Sequence, residues 1–346
     1  MLFSCKSVHQ DREKIIGVKI YEYNGNFNDL FAKWEGIGIN TVFAGTELLS
    51  DNNFKKLADR FNIGTFAILP IFYAQEELEK DSSLFAITQF GTIAEKEWVK
   101  FVCPSQKQFI INKIKYISMF VKEHNPTGIS LDFIRHFSYW EKIYSNTNID
   151  SLPNTCFNES CIIEFCYSNN ILYPNNYKSA NEKYKWIRNN YFEKWIEWKC
   201  NLISETVKSI VTEVKMINPH IKINLHAVPW RQDDFGGAII SVIGQDLKEL
   251  AKYVDYISPM TYSHMLKRKP KWIHSVVEDA ANVSDAKILP SIQVGNSYLN
   301  DNFSVDEFAK CIDEAMAEPS CGIIYWNWKM LISDKIKYNT VKNKKY

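Results

Sequence analysis

A regular alternation of short apolar runs with longer stretches of helical periodicity constrains the fold of this chain more than any other feature. Eight runs have the length and composition of buried strands: GVKIYEY (17–23), NTVFAGTE (40–47), IGTFAILPIFY (63–73), GISLDFIR (128–135), KINLHAVPW (222–230), DYISPMTY (255–262), KILPSIQVG (287–295) and GIIYWNW (322–328). Helical patterns follow at 28–36, 51–61, 107–124, 191–217, 245–253, 271–283, 304–317 and after 329. Alternating strands and helices indicate βαβ units and a parallel sheet. The sequence therefore predicts an α/β fold, a (β/α)8 TIM barrel rather than an open doubly wound sheet.

The predicted barrel occupies residues 15–340 as a single domain, after an N-terminal tail of residues 1–14. Long loops interrupt the pattern after strand 3, at about 74–106, and after strand 4, at about 136–190. Both loops follow the carboxyl ends of their strands, where barrel enzymes build their active sites. Loops of this length in a compact domain usually carry function. The second loop is rich in aromatic residues and asparagine, and we expect it to form an ordered wall of a cleft.

The charge of the chain bears on its partners. The formal net charge is +1 over 346 residues, and only the terminal KNKKY is locally basic. A nucleic-acid-binding domain needs a basic face or stripe. A membrane span needs a run of about 20 apolar residues, which the sequence does not contain. We therefore expect neither a nucleic-acid partner nor a membrane-spanning helix.

The first ten residues, MLFSCKSVHQ, suggest a location. The run from Leu2 to Cys5 resembles the end of a bacterial lipoprotein signal, in which Cys5 would carry the lipid. That interpretation predicts membrane tethering in the periplasm or at the cell surface. No apolar region precedes the run, so a chance match in a cytoplasmic protein stays open as the alternative.

The sequence predicts neither a metal nor a cofactor. Among the eight cysteines, Cys156, Cys161 and Cys166 are spaced five apart, whereas zinc sites favour pairs separated by two to four residues. A disulfide between two of these three and unpaired buried thiols both remain open. No GxGxxG follows a strand, and no Walker loop is present. The first strand also lacks the H-x-H pair that metal-dependent amidohydrolases place there.

Polar residues occupy strand positions that face the axis of the predicted barrel. Because successive strand residues point to opposite faces, Ser130 and Asp132 of GISLDFIR face inward, as do Asn224 and His226 on the next strand. Asp132, His226 and Tyr262 also lie near the carboxyl ends of their strands. A buried carboxylate is costly unless something requires it. These side chains form either a self-satisfied hydrogen-bond network or a site for a ligand.

Two segments resemble a known family. Asp132-Phe133-Ile134-Arg135 resembles a D-[FY]-[IV]-R signature, and IGQDLKELAKYVDYISPMTYSHM (243–265) resembles a longer block that ends in S-P-M-x-Y. Both occur in a family of glycosyl hydrolases with a (β/α)8 barrel, related to alpha-amylase-like and family 10-like hydrolases. The matched blocks cover strands 4 to 6. The resemblance implies a barrel fold and a glycosidase acting on a poly- or oligosaccharide.

A second comparison, with the chitinase family, limits the mechanism. Met260 and Tyr262 match the M-x-Y-D motif of that family's sixth strand, but Ser263 stands where its aspartate would be. Asp132 matches the first acid of the D-x-E motif, and Ile134 replaces the catalytic glutamate. The comparison therefore argues against a chitinase-type reaction. It also supports the alternative of a carbohydrate-binding barrel that has lost catalysis.

Glycoside hydrolysis usually needs two carboxyl groups, one protonated and one ionised. We predict that Asp132 is the ionised group, as nucleophile or as stabiliser of the oxocarbenium ion. Asp234, in the loop after strand 5, and Glu47, at the end of strand 2, are the candidates for the general acid. His226 is a further candidate, since its unperturbed pKa lies near neutrality.

A further set of side chains is predicted to bind the sugar. Tryptophans near strand ends suit stacking on the apolar face of a sugar ring. Alternation places Trp326 and Trp328 on one face, so either both line the cleft or both pack under helices. The predicted substrate-binding residues are Arg135, Trp230, Tyr262, His264, Gln293, Trp326 and Trp328.

Overall fold

A curled sheet of parallel strands forms the centre of the molecule, and the computed structural model describes residues 14–344. The strands are β1 (Ile15–Ile20), β2 (Thr41–Ala44), β3 (Gly64–Pro70), β4 (Glu95–Lys96), β5 (Val99–Lys100), β6 (Gly128–Asp132), β7 (Lys222–Ala227), β8 (Tyr256–Pro259), β9 (Lys287–Ile288), β10 (Ser291–Gln293) and β11 (Gly322–Trp326). The sheet order is β10-β11-β1-β2-β3-β6-β7-β8-β9, and β4 pairs with β5 in a separate antiparallel hairpin. Cys5, the predicted lipid-bearing residue, lies outside the described residues.

The seventh predicted strand is present in two pieces, β9 and β10, separated by Leu289 and Pro290. The N–H of Leu289 donates to the carbonyl of Ile257 in β8, and the N–H of Ile324 in β11 donates to the carbonyl of Pro290. The interrupted strand therefore pairs on both of its sides. The predicted α/β class with a parallel sheet is confirmed.

Helices surround the sheet. They are α1 (Phe27–Glu35), α2 (Thr46–Ser50), α3 (Asn52–Arg60), α4 (Gln75–Lys80), α5 (Lys107–His124), α6 (Glu159–Ser168), α7 (Ala180–Asn190), α8 (Phe192–Ile217), α9 (Ala238–Ser241), α10 (Leu247–Leu250), α11 (Lys271–Val283), α12 (Val305–Met316), α13 (Trp328–Ser333) and α14 (Lys335–Asn343). Side-chain caps fix several starts: Asn26, Asp51 and Ser304 each accept a hydrogen bond from a backbone N–H in the first turn. Within residues 14–344, none of the helices combines the length and the apolarity needed to cross a bilayer.

Two apolar regions flank the strands. The larger lies between the sheet and the helices and includes outward-facing residues such as Ile129 and Leu131. The smaller, inside the sheet, consists of Phe43, Phe66, Ile68, Leu289 and Ile324. The rings of Phe43 and Phe66 stack with their centroids 4.9 Å apart. This inner cluster fills part of the interior, so the polar residues gather in the remaining space.

The two long interruptions are ordered by short elements. The segment after β3 contains α4 and the β4–β5 hairpin, and the segment after β6 contains α6 and α7. Four short 3-10 helices also occur in the described chain: Ser82–Leu84, Trp140–Lys142, Ile149–Ser151 and Asp234–Gly236. The second of these lies just beyond the carboxyl end of β6, and it carries a glutamate into the site described next.

Candidate active site

A cavity of about 510 Å³ lies at the carboxyl ends of the parallel strands. Its walls include Lys19, Tyr21, Glu47, Tyr73, Trp98, Asp132, Phe133, Arg135, Trp140, Glu141, Met260, Tyr262, Tyr298 and Trp326. Several residues come from strand ends and others from the two long segments after β3 and β6. The volume is in the range of small-molecule binding sites.

A chain of hydrogen bonds crosses the interior beside this cavity. Lys19 Nζ lies 3.5 Å from His226 Nδ1, and His226 Nε2 lies 2.9 Å from Ser130 Oγ. The Asn224 amide donates to Ser130 Oγ at 2.8 Å, and Ser258 Oγ donates to Asn224 Oδ1 at 2.7 Å. The structure therefore contains the self-satisfied network that the sequence left open. Asp132 and Tyr262 lie beyond it, in the wall of the cavity.

His226 is held neutral by its surroundings. Burial and, to a smaller extent, the positive charge of Lys19 lower the pKa of His226 to about 3, against the opposing effect of Asp132. The ring is buried and does not belong to the cavity wall. A group that stays neutral at pH 7 and lies outside the cavity is poorly placed to transfer a proton to a substrate. We assign His226 to the positioning of Lys19.

The buried state of His226 predicts a pH-dependent stability. The folded pKa lies below the unfolded value of about 6.5, so the unfolded chain binds the extra proton between these values. The contribution of His226 is fully present above pH 6.5 and decreases by about 1.4 kcal/mol per pH unit as the pH falls towards 3. Urea unfolding at pH 7 and pH 5 should show a fall that is about 2 kcal/mol smaller in His226→Gln than in the wild type. His220→Gln, at an exposed position, serves as control, and equal falls in all three proteins would contradict the assignment.

Asp132 is the last residue of β6 and is 7% exposed. The N–H of Phe133 donates to Asp132 Oδ1 at 2.8 Å, and Phe133 has a left-handed backbone with φ of 50°. The strand therefore ends in a sharp turn that presents the carboxylate to the cavity. The charges of Lys19 and Arg135 both interact with that of Asp132.

Lys19 supplies a buried cation beside Asp132. It is 1% exposed, and burial lowers the pKa of its ammonium group to about 8, while the charge of Asp132 acts to raise it. Lys19 Nζ also donates to the hydroxyl of Tyr262 at 3.4 Å. Since 8 is above 7, the group remains mostly protonated at neutral pH. The floor of the cavity thus holds a positive charge next to the carboxylate.

Glu141 is a site residue that the sequence analysis did not identify. It belongs to the 3-10 helix Trp140–Lys142, is 7% exposed and lines the same cavity as Asp132. Burial raises the pKa of Glu141 to about 7, with Arg135 opposing the rise and Asp132 adding to it. Glu141 Oε2 has no hydrogen-bond partner among the described residues. A carboxyl group that is half protonated near pH 7 is suited to general acid catalysis.

Arg135 interacts electrostatically with both carboxyl groups. Its Nη1 donates to the carbonyls of His136 at 3.1 Å and Ser138 at 2.9 Å, which fixes the turn leading towards Glu141. The guanidinium lies 4.7 Å from the ring centroid of Phe101. Burial lowers the pKa of Arg135 to about 10, while Glu141 and Asp132 act to raise it. Arg135 is therefore a buried cation held in place by the backbone and an aromatic ring.

Aromatic rings form much of the cavity wall. Trp326 and Tyr262 stack with centroids 4.5 Å apart and planes at 16°. On the other side, Trp98 Nε1 donates to the hydroxyl of Tyr298 at 2.9 Å. Flat apolar rings beside polar groups suit a ligand such as a sugar, which has an apolar ring face and hydroxyl edges. Of the predicted binding residues, Arg135, Tyr262 and Trp326 come together here.

The two predicted acids differ in position. Glu47 lines the cavity from the first turn of α2, at an exposed position. Asp234 does not line it and is held by Arg231, whose Nη2 lies 2.8 Å from Asp234 Oδ1 and whose backbone N–H donates to Oδ2 at 2.9 Å. The loop after β7 folds back on itself through these bonds. The carboxylate of Asp234 is therefore paired with Arg231 in its own loop, and it does not line the cavity with Asp132.

Three more predicted binding residues point elsewhere. Trp230 is buried and packs against Phe235, with ring centroids 5.0 Å apart. His264 Nδ1 lies 3.3 Å from Glu307 Oε1, and Gln293 Oε1 accepts from the backbone N–H of residue 265 at 2.8 Å. His264 and Gln293 thus form hydrogen bonds within the fold, and Trp230 packs against a neighbouring ring. They contribute to packing and do not line the cavity.

Trp328 corrects the expectation drawn from strand alternation. The strand β11 ends at Trp326, and Trp328 is the first residue of α13, so the two side chains do not share a strand face. Trp328 is 2% exposed and packs against Trp34, with centroids 5.8 Å apart. The prediction that both tryptophans line the cavity or both pack under helices is therefore wrong. One does each.

Substitution of Trp326 should affect ligand binding, and substitution of Trp328 should affect stability. Trp326→Ala is expected to raise KM roughly 5- to 30-fold, equivalent to about 1–2 kcal/mol, because a stacking surface in the cavity is lost. Trp328→Ala should leave KM unchanged and lower the free energy of unfolding by about 3–5 kcal/mol, because it opens a hole in the core. Steady-state kinetics and urea unfolding of both variants test this. A raised KM in Trp328→Ala alone would contradict the assignment of Trp326 as the ring on which the ligand stacks.

Comparison with solved structures shows that this fold occurs in glycoside hydrolases. The glycoside hydrolase domain of PgaB (BpsB) from Bordetella bronchiseptica matches with a TM-score of 0.70 and 11% identity, over 96% of this chain and 98% of that domain. A β-galactosidase from Halorubrum lacusprofundi matches at 0.68 and 9%, over 95% and 57% of the two chains. A β-galactosidase from Marinomonas ef1 matches at 0.66 and 10%, over 91% and 54%.

The chain thus spans just over half the length of these β-galactosidases and nearly the whole of the PgaB domain. No protein-family model matches the sequence, and no curated protein sequence matches it. At these identities the likeness shows a shared fold.

Proposed function

We propose that this chain is a glycoside hydrolase that cleaves a poly- or oligosaccharide by carboxylate catalysis. One observation carries the proposal: Asp132 and Glu141 line the same aromatic cavity, and the pKa of Glu141 is raised to about 7. Two carboxyl groups with different protonation states are what the reaction needs. The similarity in fold to glycoside hydrolases supports the same conclusion.

In the proposed reaction Glu141 donates its proton to the glycosidic oxygen while the bond from that oxygen to the anomeric carbon breaks. Asp132 either stabilises the resulting oxocarbenium ion or bonds to the anomeric carbon as a nucleophile. Water then adds to that carbon and gives a proton to the Glu141 carboxylate. Where a bond to Asp132 has formed, it breaks in this step and the bonding electrons return to the Asp132 carboxylate, which restores the enzyme. Lys19 and Arg135 lie near Asp132 and balance its charge between turnovers.

A carbohydrate-binding barrel without catalysis is the second candidate. Ile134, at the position of the chitinase glutamate, is fully buried and cannot donate a proton. Glu141 provides the carboxyl group that Ile134 does not, and it favours the enzyme over the binding protein. We also propose the finer architecture of eight strand positions in one domain over 15–340. The lipid on Cys5 and the periplasmic or cell-surface location remain predictions.

The experiment that tests the proposal is a screen for hydrolysis of polysaccharides, oligosaccharides and aryl glycosides by the purified chain. New reducing ends should appear with the wild type and disappear in the double variant Asp132→Asn/Glu141→Gln. The double variant should still bind the intact glycan that the wild type cleaves, because its aromatic walls are unchanged. Calorimetry measures this binding. Binding without cleavage by the wild type would instead identify the protein as a carbohydrate-binding barrel.

A further inference from the structure

Three buried cysteines from different parts of the chain meet outside the cavity. Cys103 precedes α5, Cys156 lies in the segment after β6, and Cys161 is in the first turn of α6. All three are buried, and their sulfur atoms lie within 4.8 Å of one another. The sulfurs of Cys103 and Cys161 are 3.2 Å apart. None of the three lines the cavity.

Further polar groups surround this cysteine cluster. Ser105 Oγ lies 3.0 Å from Cys161 Sγ and 3.3 Å from Cys103 Sγ, so a fourth donor atom is close to two of the sulfurs. The N–H of Ile87 donates to Cys156 Sγ at 3.3 Å. A backbone N–H directed at sulfur stabilises a thiolate more than a neutral thiol.

Charge balance is also consistent with a bound cation. Three buried thiolates without a partner would be strongly unfavourable, and a divalent cation reduces their total charge to −1. The buried ammonium group of Lys199 interacts electrostatically with Cys156, and its Nζ donates to Asn154 Oδ1 at 2.7 Å. Burial lowers the pKa of Lys199 to about 7, and a metal with three thiolates nearby would favour the charged form of this side chain.

The sulfur spacing allows a metal with small adjustments. In a tetrahedral zinc site with bonds of about 2.3 Å, neighbouring sulfurs are about 3.8 Å apart. The Cys103 and Cys161 sulfurs therefore need to separate by roughly 0.6 Å, which side-chain rotation can supply. Thiolates favour zinc and other thiophilic cations over calcium or magnesium.

We propose that Cys103, Cys156 and Cys161 bind one thiophilic divalent cation of the Zn²⁺ class, with Ser105 Oγ next to the fourth coordination position. The site joins the segment after β3, which carries Trp98, to the segment after β6, which carries Glu141. Its effect is structural: it fixes the two walls of the cavity relative to each other. The inference does not depend on the proposed function.

Metal content and stability of the full chain test the proposal. The protein is purified under reducing conditions with Zn²⁺ supplied, desalted and analysed by mass spectrometry for metal. We expect about one zinc per chain, a visible spectrum typical of tetrahedral thiolate coordination after exchange with Co²⁺, and a lower Tm after chelation. Cys103→Ala and Cys161→Ala should retain no stoichiometric zinc. Cys166→Ala and Cys200→Ala, two buried cysteines outside the cluster, should retain it.

The wild type alone can contradict the proposal, so variants that fail to fold do not decide it. A reduced, folded wild type that retains no zinc or Co²⁺ would overturn the site. An intact mass lower by two hydrogens, with Cys103 and Cys161 in one linked peptide, would overturn it as well and identify a disulfide. Zinc retained equally by Cys161→Ala and Cys166→Ala would place the metal elsewhere.

Discussion

Asp132→Asn is expected to lower kcat by about 10³-fold or more, equivalent to a loss of about 4 kcal/mol of transition-state stabilisation. The amide keeps the size of the side chain and can still accept the hydrogen bond from the N–H of Phe133. It removes the negative charge that faces the developing positive charge of the sugar. The measurement is kcat on the best glycan from the screen, with circular dichroism to show that the variant is folded.

Asp59→Asn is the matched control, since Asp59 is an exposed aspartate on α3 that does not line the cavity. It should retain the wild-type kcat. If Asp132→Asn also retains kcat within a factor of a few, the carboxylate does not act in catalysis. Asp132 would then serve only to balance the charges of Lys19 and Arg135.

Glu141→Gln is expected to lower kcat on natural glycans by roughly 10²- to 10⁴-fold, because the leaving alcohol is no longer protonated. The loss should be much smaller on aryl glycosides whose phenol is acidic, since such a leaving group departs without a proton. Rates on a series of aryl glycosides with different leaving-group pKa values measure this. The variant should therefore show a steeper dependence on leaving-group pKa than the wild type does.

Glu47→Gln provides the comparison within the same cavity, because Glu47 is its other glutamate and was a predicted acid from the sequence. Glu47 is exposed, whereas Glu141 is 7% exposed, and burial raises the pKa of Glu141 to about 7. We expect little change in Glu47→Gln. A steep dependence on leaving-group pKa in Glu47→Gln and not in Glu141→Gln would identify Glu47, and not Glu141, as the general acid.

The order of strands and helices was predictable because periodicity is a local property. The helices at 107–124 and 271–283 have the predicted bounds, and each predicted strand overlaps an observed one. The break of the seventh strand at Leu289 and Pro290 was not predicted, although proline lacks the N–H that a central strand position needs. The short α2 was also missed, because its first two residues were assigned to the end of the second strand and five residues are too few to show helical periodicity.

The candidate site was predictable where it is built from strand ends. Asp132 and Tyr262 line the cavity at the positions that alternation and strand order indicate. Glu141 was not found, because it lies in a loop and its burial depends on how that loop folds over the strands. The one local signal was an acidic residue directly after Trp140 in the loop that follows the Asp132 strand.

Sequence analysis missed the cysteine cluster and placed Asp234 in the site for the same reason. Cys103 is more than fifty residues from Cys156 along the chain, so spacing rules could not join them. Asp234 is neutralised by Arg231 only three residues away, through a turn that the sequence PWRQDDFGG does not reveal. Contacts formed by irregular backbone depend on tertiary packing, which periodicity does not encode.

The pH dependence of kcat/KM tests the central claim most directly. A general acid must be protonated, so activity of the wild type should fall about tenfold per pH unit above the pKa of Glu141, about 7. In Glu141→Gln the residual activity should show no such decline near pH 7. Loss of the decline in this variant is the predicted result. A decline that persists unchanged in Glu141→Gln would contradict the account, since another group would then supply the proton.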